Sequence, residues 1–172
     1  DISHPNLGYE FKGQGREYLF TEMWPESDLE MIEQTTWEYL TPDKNGKIAP
    51  FHTYYLTVSG HLAYNFYGNN IAMRNEAMVM NMELSEACKA YMATQIELDK
   101  ALELLIYRLG EAGALENTVI AIVGDHYPYG LSNNNLNELS LVNRDDPFEL
   151  YHSDLIIWNS AMEETVKVEK VG

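Results

Sequence analysis

Two residues, Asp125 and His126, have the types and spacing to bind a divalent cation. Together with Gly124 they directly follow the apolar run Val119–Val123. A carboxylate oxygen and an imidazole nitrogen are ligands for a borderline ion such as Zn²⁺ or Mn²⁺. Gly124 would let the backbone turn sharply, so that both side chains reach the same space. The alternative is that Asp125 caps the next turn and His126 is an ordinary loop histidine, and the dipeptide alone leaves both interpretations open.

A second histidine, His61, also follows an apolar segment, Phe51–Ser59. If that segment is a sheet neighbour of Val119–Val123, His61 shares one crevice with the Asp125-His126 pair. An imidazole there could donate to a phosphate or sulfate oxygen, or protonate a leaving group. The alternative is a histidine that only caps the end of a strand.

The other polar residues are weaker candidates for a functional site. His52 is expected to be packed within a strand, and Arg74 to be solvated, although it could contact an anionic group. The remaining candidates lack a partner in the sequence or could simply serve turns: His4, His152, Ser132, Ser153, Asn65, Asn69 and Asn70. The methionines at positions 73, 78, 80 and 82 are interpreted as core or helix-face residues.

Helix signals are clear in two places. Ser27 is a predicted N-cap, with Asp28 and Glu30 in the first turn, where negative charge suits the helix dipole. A turn at Pro42–Gly46 should end this helix. The apolar spacing predicts a long helix over about residues 85–112, with Glu97 among its outward residues. Gly110 and Gly113 are candidate stops.

Strand signals define the expected fold class. Phe51–Ser59 is rich in aromatic and β-branched residues, and Val119–Val123 is typical of a central parallel strand covered on both faces. Asp154–Trp158 is a second buried-strand candidate, Glu17–Thr21 a short strand, and Ser132–Leu141 a short helix. We therefore expect an α/β protein with a doubly wound, mostly parallel sheet and flanking helices. Asp1–Gly15 is predicted to be loop and Glu163–Gly172 an exposed tail.

The amino-acid composition and net charge limit which kinds of molecule the chain can bind. The chain has 172 residues, 45% of them hydrophobic, which indicates a folded domain or a piece of one. Eleven Lys and Arg against 27 Asp and Glu give a net charge of −16, which disfavours nucleic acid and anionic membrane surfaces as partners. No run approaches the roughly 18 apolar residues of a membrane helix, so this segment is expected to be soluble. The single cysteine does not fix the compartment.

Taken in order, these segments resemble the sulfatase-like domain of the lipoteichoic acid synthase family, in the alkaline phosphatase superfamily. The matching stretches are Trp24–Glu30, Pro50–Tyr64, Ala90–Leu102, Asn117–Leu131 and Tyr151–Trp158. The resemblance is specific because two of these segments, Thr57–His61 and Gly124–Gly130, occur in this order and at this separation.

The resemblance implies a metal-dependent phosphoglycerol transferase in a Gram-positive bacterium, anchored in the membrane with an extracellular catalytic domain. Such enzymes take glycerol phosphate from phosphatidylglycerol and pass it to a growing polymer. The metal is usually Mn²⁺, with Mg²⁺ or Zn²⁺ as substitutes. Asp125 and His126 match the family's late metal ligands, and His61 matches a histidine that contacts the substrate phosphate.

The resemblance also implies that residues 1–172 are the later part of a single sulfatase-like domain, an incomplete alkaline-phosphatase-like unit. The family's nucleophilic threonine and early acidic ligand lie before the region where this sequence starts, so no catalytic nucleophile is assigned here. We expect the isolated fragment to be inactive, to bind metal poorly, and to form a homodimer through an uncovered sheet edge or helix face.

Several alternatives stay open. A phosphoethanolamine transferase or a true sulfatase would share Asp125 and His126. A non-catalytic binding module would have lost the metal site. A cytosolic phosphomutase-like enzyme is a third possibility within the same superfamily.

Overall fold

The computed structural model describes residues 24–140 and 145–168. This part of the chain contains five α-helices and two short β-strands. The helices are α1 (Asp28–Leu40), α2 (Asn70–Val79), α3 (Glu86–Glu111), α4 (Asn133–Leu139) and α5 (Pro147–Tyr151), and the strands are β1 (Ile120–Val123) and β2 (Leu155–Trp158). A 3-10 turn at Leu115–Asn117 leads from α3 into β1.

The start of α1 confirms the predicted cap. The Ser27 hydroxyl accepts a hydrogen bond from the backbone N–H of Glu30 at 3.1 Å, which satisfies one of the free donors of the first helical turn. The predicted turn also forms after α1, where Gly46 has a φ of 74°.

Helix α3 has nearly its predicted bounds, with Ser85 before its first residue. Its C-terminal end forms a Schellman motif, in which the Ala114 N–H donates to the Leu109 carbonyl and the Gly113 N–H to the Gly110 carbonyl, both at 2.9 Å. Gly113 occupies the left-handed position with φ 67°. This geometry ends the helix and directs the chain toward β1.

The core lies along α3. Helix α1 packs Ile32 and Leu40 against Leu105 and Leu109 near the C-terminal end of α3. Helix α2 packs Ala72 and Val79 against Ala90 and Ala93 nearer the N-terminal end.

The prediction that Glu97 points outward is wrong, because its side chain is fully buried on the face of α3 that meets α1 and α2. Its carboxylate accepts from Ser27, from Arg74 at 3.0 Å and from Asn75 at 3.2 Å. Arg74 also pairs with Glu30 at 3.1 Å, so Arg74 contacts anionic groups of its own chain rather than only solvent. Partnered in this way, a carboxylate can occupy a helix–helix interface.

The prediction of a mostly parallel sheet is wrong for the described residues. Within the described residues the fold is mostly helical, and β1 pairs with β2 antiparallel, with Ile120 opposite Trp158 and Val123 opposite Leu155. The predicted positions of both strands are confirmed, but their predicted burial is not, since Val123 is 64% and Ile157 56% exposed. An apolar run indicates a strand, but the run itself does not encode the direction of its neighbour.

The predicted strand over Phe51–Ser59 is also not observed. Residues 47–58 form neither helix nor strand, although Phe51 and Tyr55 pack beside α1. The Tyr55 hydroxyl lies 2.9 Å from that of Tyr39 and 3.0 Å from that of Thr35. Side-chain type favours a strand here, but a strand also needs a paired backbone, and none of the described strands pairs with this segment.

Helices α2 and α5 were not predicted, whereas α4 was. Helix α2 begins where Asn69 and Asn70 were expected to serve a turn, and the Asn69 carboxamide oxygen accepts from the Ala72 N–H at 2.9 Å. Helix α5 begins at Pro147 after an Asp146 cap. Helix α4 lies inside the predicted Ser132–Leu141 range, with Ser132 as its cap.

The chain ends lie partly outside the described residues. The predictions for Asp1–Gly15, Glu17–Thr21 and His4 fall there, whereas residues 163–168 are exposed as predicted. Among the helices of the described ranges, none combines the length and the apolar character needed to cross a membrane.

Candidate functional site: a cleft that contains both histidine loops

The Asp125-His126 pair lies in the loop that directly follows β1. Asp125 Oδ2 is 3.5 Å from His126 Nε2, and the two side chains are 68% and 46% exposed. Gly124 does not have positive φ. Instead, a Cβ at Gly124 would lie 3.0 Å from the Ser153 hydroxyl, so close packing rather than a sharp turn favours glycine there.

The hydrogen bond on the other side of the His126 ring determines which nitrogen is free. His126 Nδ1 lies 2.8 Å from the carbonyl oxygen of Tyr127. A carbonyl oxygen can only accept, so Nδ1 carries the proton, and in the neutral ring Nε2 presents its lone pair. That lone pair lies on the side of the ring that approaches the Asp125 carboxylate.

These two donor atoms fit a shared cation. With metal–ligand distances of about 2.0–2.2 Å, atoms 3.5 Å apart would subtend roughly a tetrahedral angle at one ion. A backbone carbonyl behind a ligating imidazole is also the usual outer partner of such a ligand. Two protein ligands are fewer than most sites use, and in residues 24–140 and 145–168 no group of three or more His, Cys, Asp and Glu side chains is placed to hold a metal.

His61 belongs to a tight turn rather than to the end of a strand. Its N–H donates to the Val58 carbonyl at 3.0 Å, and its Nδ1 lies 3.4 Å from the Leu62 carbonyl. The indole of Trp24 donates to the same carbonyl at 3.1 Å and meets the His61 ring edge-on, with ring centres 5.1 Å apart. Asn69 donates to the His61 carbonyl at 3.1 Å. Trp24 and Asn69 therefore both hold the turn that carries His61.

Asp28 holds the start of this turn. Its carboxylate accepts from the Val58 N–H at 2.8 Å and from the Ser59 N–H at 3.2 Å, while its own N–H donates to the Ser59 hydroxyl. Burial raises the pKa of the Asp28 carboxyl, and the hydrogen bonds from Val58 and Ser59 oppose that rise. The sequence identified Asp28 only as a first-turn acid, because its contact with a turn about thirty residues later leaves no local signal.

One cleft of about 1180 Å³ joins the two loops, and His61, Asp125 and His126 all line it. Its walls are residues 46–58, the middle and end of α3, and β1. The three side chains therefore line one cleft, and their predicted roles stay predictions. The cause expected for this placement is wrong, because residues 51–58 are not a neighbouring strand of β1.

Aromatic rings flank the histidine pair. Tyr129 packs on His126 with ring centres 4.4 Å apart, and Tyr127 meets both Tyr129 and Tyr151 edge-on. The sequence reasoning did not single these tyrosines out, although their spacing within Gly124–Gly130 was a possible signal.

Several of the remaining predicted candidates have structural contacts of their own, and His52 lines the same cleft as the pair. Asn65 accepts from the N–H groups of Tyr67 and Gly68 and so serves a turn, whereas Asn70 donates to the carbonyl of Trp24, 46 residues earlier. The expected packing of His52 is wrong, since its side chain is exposed, as is that of His152. Three of the four methionines are about half exposed on or just after α2, and Met82 is 36% exposed.

Comparison with known protein families identifies a match. The family described as Sulfatase matches residues 3–171, which is nearly the whole chain. Neither the curated proteins nor the solved structures contain a match to this sequence.

Proposed function

The chain belongs to the sulfatase family of the alkaline phosphatase superfamily, and from this premise we propose that it forms part of the catalytic centre of a metal-dependent phosphoglycerol transferase. The family suggests a sulfatase-like hydrolase or transferase and implies a partial alkaline-phosphatase-like fold. The observation that supports the metal role is the convergence of Asp125 Oδ2 and His126 Nε2 at 3.5 Å.

In this proposal each residue has a distinct task. Asp125 and His126 hold the cation, with Mn²⁺ preferred and Mg²⁺ or Zn²⁺ as substitutes. The Tyr127 carbonyl keeps the Nδ1 proton of His126 in place, so that Nε2 stays available. When bound, the cation would neutralise charge on a phosphoryl oxygen and activate a hydroxyl nucleophile. His61, on the same cleft, contacts the phosphate of the substrate.

The parent protein would contribute the remaining groups. We propose that further metal ligands and a nucleophilic threonine come from segments that precede Asp1, since catalytic sites usually use at least three protein ligands. The proposed donor is a phosphatidylglycerol-type lipid, the acceptor a glycerol phosphate polymer, and the location the outer side of a Gram-positive cell membrane. Residues 1–172 by themselves would then bind metal weakly and lack activity.

Metal binding is tested most directly by Mn²⁺ titration of the 172-residue chain, with free Mn²⁺ measured by electron paramagnetic resonance. Asp125→Ala should lower the affinity by more than about tenfold. Asp99→Ala is the matched control, because it removes the same charge from an exposed position on α3 and leaves the pair intact. Equal affinities for the two variants would refute the metal role.

The substrate is tested with a longer protein that includes the preceding segments. Release of diacylglycerol from phosphatidylglycerol vesicles should exceed release from phosphatidylethanolamine vesicles and hydrolysis of an aryl sulfate. His61→Ala should lower turnover and leave Mn²⁺ affinity unchanged. Preference for phosphatidylethanolamine or for the sulfate ester would point instead to a phosphoethanolamine transferase or a sulfatase.

We also propose that isolated copies of this chain pair through the exposed apolar side chains of β1 and β2. Val123, Leu155 and Ile157 are each more than half exposed, and exposed apolar strands tend to associate. Sedimentation equilibrium should show a dimer that Ile157→Lys dissociates. A monomer at all concentrations would exclude this role of the sheet.

A further inference from the structure

Tyr64 lies where the His61 turn meets the loop after β1. Its hydroxyl donates to the Gly60 carbonyl at 2.9 Å, which holds the residue before His61. On the other side, a Cβ at Gly130 would lie 2.9 Å from Cε2 of the Tyr64 ring and 3.0 Å from the Leu62 Cβ. Glycine is therefore required at position 130 for the two loops to approach this closely.

The Tyr64 side chain is fixed from its buried side as well. Its ring meets that of Tyr91 on α3 edge-on, with centres 5.2 Å apart, and it packs against the core formed by α2 and α3. Burial, followed by the charges of Tyr91, Tyr129 and Asp125, raises the pKa of Tyr64 to about 12. The hydroxyl thus keeps its proton at neutral pH and remains a donor to Gly60.

We propose that Tyr64 is a positioning residue that sets the separation between His61 and the Asp125-His126 pair, by bracing the His61 turn against the loop that contains Gly130. The assignment rests on the proposed function, in which His61 and the pair act on one substrate. Tyr64 is held firmly in place because its hydroxyl bonds to the His61 turn, its ring packs against the loop that contains Gly130, and the same ring packs against Tyr91 of α3. A displacement of about 1 Å between cooperating groups can lower a rate by about a hundredfold, so such a brace would matter for turnover.

The first test needs no metal. Nuclear Overhauser contacts between Leu62 and Gly130 should be strong in the wild-type chain. They should weaken in Tyr64→Phe, which removes only the hydroxyl, and survive in Tyr91→Phe, which removes a hydroxyl from the ring partner and leaves the Gly60 contact intact. Unchanged Leu62–Gly130 contacts in Tyr64→Phe would refute the positioning role of Tyr64, independently of metal binding.

The second test measures the separation itself. Mn²⁺ broadens the ring protons of nearby histidines with a steep distance dependence. In wild type, both His126 and His61 should broaden, and His126 the more strongly. In Tyr64→Phe and in Gly130→Ala, His61 should lose at least half of its broadening while His126 keeps its own and thermal unfolding stays cooperative.

The results of these two tests distinguish the metal-binding role of the Asp125-His126 pair from the positioning role of Tyr64. Absence of selective broadening at His126 in wild type would refute the metal role, and the brace would then be judged by the Leu62–Gly130 contacts. Selective broadening at His126, with His61 broadened equally in wild type and Tyr64→Phe, would refute the positioning role and leave the metal role standing.

Discussion

The helical layer and the two-stranded sheet bury their apolar side chains to opposite degrees. On α3, Leu109 is 1% exposed and even a glutamate, Glu97, is fully buried with partners. In β1 and β2, Val123 and Ile157 are more than half exposed. The candidate site joins the two, because the His61 turn is attached to α1 and α2, whereas the Asp125-His126 loop continues from β1. The His61 turn therefore rests on a densely packed core, whereas the Asp125-His126 loop rests on a sheet with few packing contacts. Sparsely packed regions unfold locally more readily, so we expect the second loop to be the more mobile.

The largest expected contrast comes from the same kind of truncation in each region. Leu109→Ala should lower the free energy of unfolding by about 3 kcal/mol, since it leaves a cavity in a closed core. Measured at concentrations where the chain is monomeric, Ile157→Ala should lower it by less than about 1 kcal/mol, because in the monomer much of that side chain already contacts water. Urea denaturation of the two variants measures both values. Equal losses would mean that the sheet is as tightly packed as the helices.

The buried carboxylate provides the next contrast. Glu97→Gln should cost about 2 kcal/mol, because Arg74 and Ser27 lose a charged hydrogen-bond partner. Glu103→Gln, at an exposed position on the same helix, should change the unfolding free energy by less than about 0.5 kcal/mol. Denaturation at neutral pH compares them, and similar small effects would show that the cluster around Glu97 contributes little.

The link between the two regions can be tested with two glycines. Gly113→Ala should destabilise by about 1 kcal/mol, because φ at this position is 67°. Gly110→Ala should stabilise by about 0.5–1 kcal/mol, because this residue is helical and an added Cβ meets only Leu115, at 3.9 Å. Thermal unfolding midpoints should move in opposite directions, and shifts of the same sign would argue against the Schellman end of α3.

The smallest expected effect concerns the contact between α4 and α3. Hydrogen bonds from Ser85 and Cys88 lower the pKa of Glu138 from its ordinary value of 4.5 to about 2. A carboxylate with a lowered folded-state pKa stabilises the protein above its unfolded-state pKa, and this contribution is lost as the pH falls from about 4.5 to about 2. The amide shift of Ser85 should titrate near pH 2 in wild type and not in Glu138→Gln. A wild-type midpoint near 4.5 would contradict the contact.

The local elements of the helical layer could be predicted well, because their signals are short-range. Ser27 marks a helix start and Gly113 a helix end, since caps and left-handed residues act within one turn. Helix α2 was missed because Asn69 lies in a segment rich in Asn, Tyr and Gly, which is equally typical of a loop. The partners of the site were harder to foresee, because the contacts of Asp28 with Ser59 and of Tyr64 with Gly130 join residues far apart in sequence.

The amino-acid sequence by itself determined where α1 and α3 begin and end, where β1 and β2 lie, and which side chains, Asp125, His126 and His61, have suitable chemistry. These properties depend on neighbouring residues and on side-chain type. The tertiary structure alone decided that β1 and β2 run antiparallel, that Phe51–Ser59 is not a strand, that Glu97 is buried, and that Tyr64 lies between the two loops. Each of these depends on which distant surface meets the residue, and that follows from the packing of whole elements rather than from any local pattern.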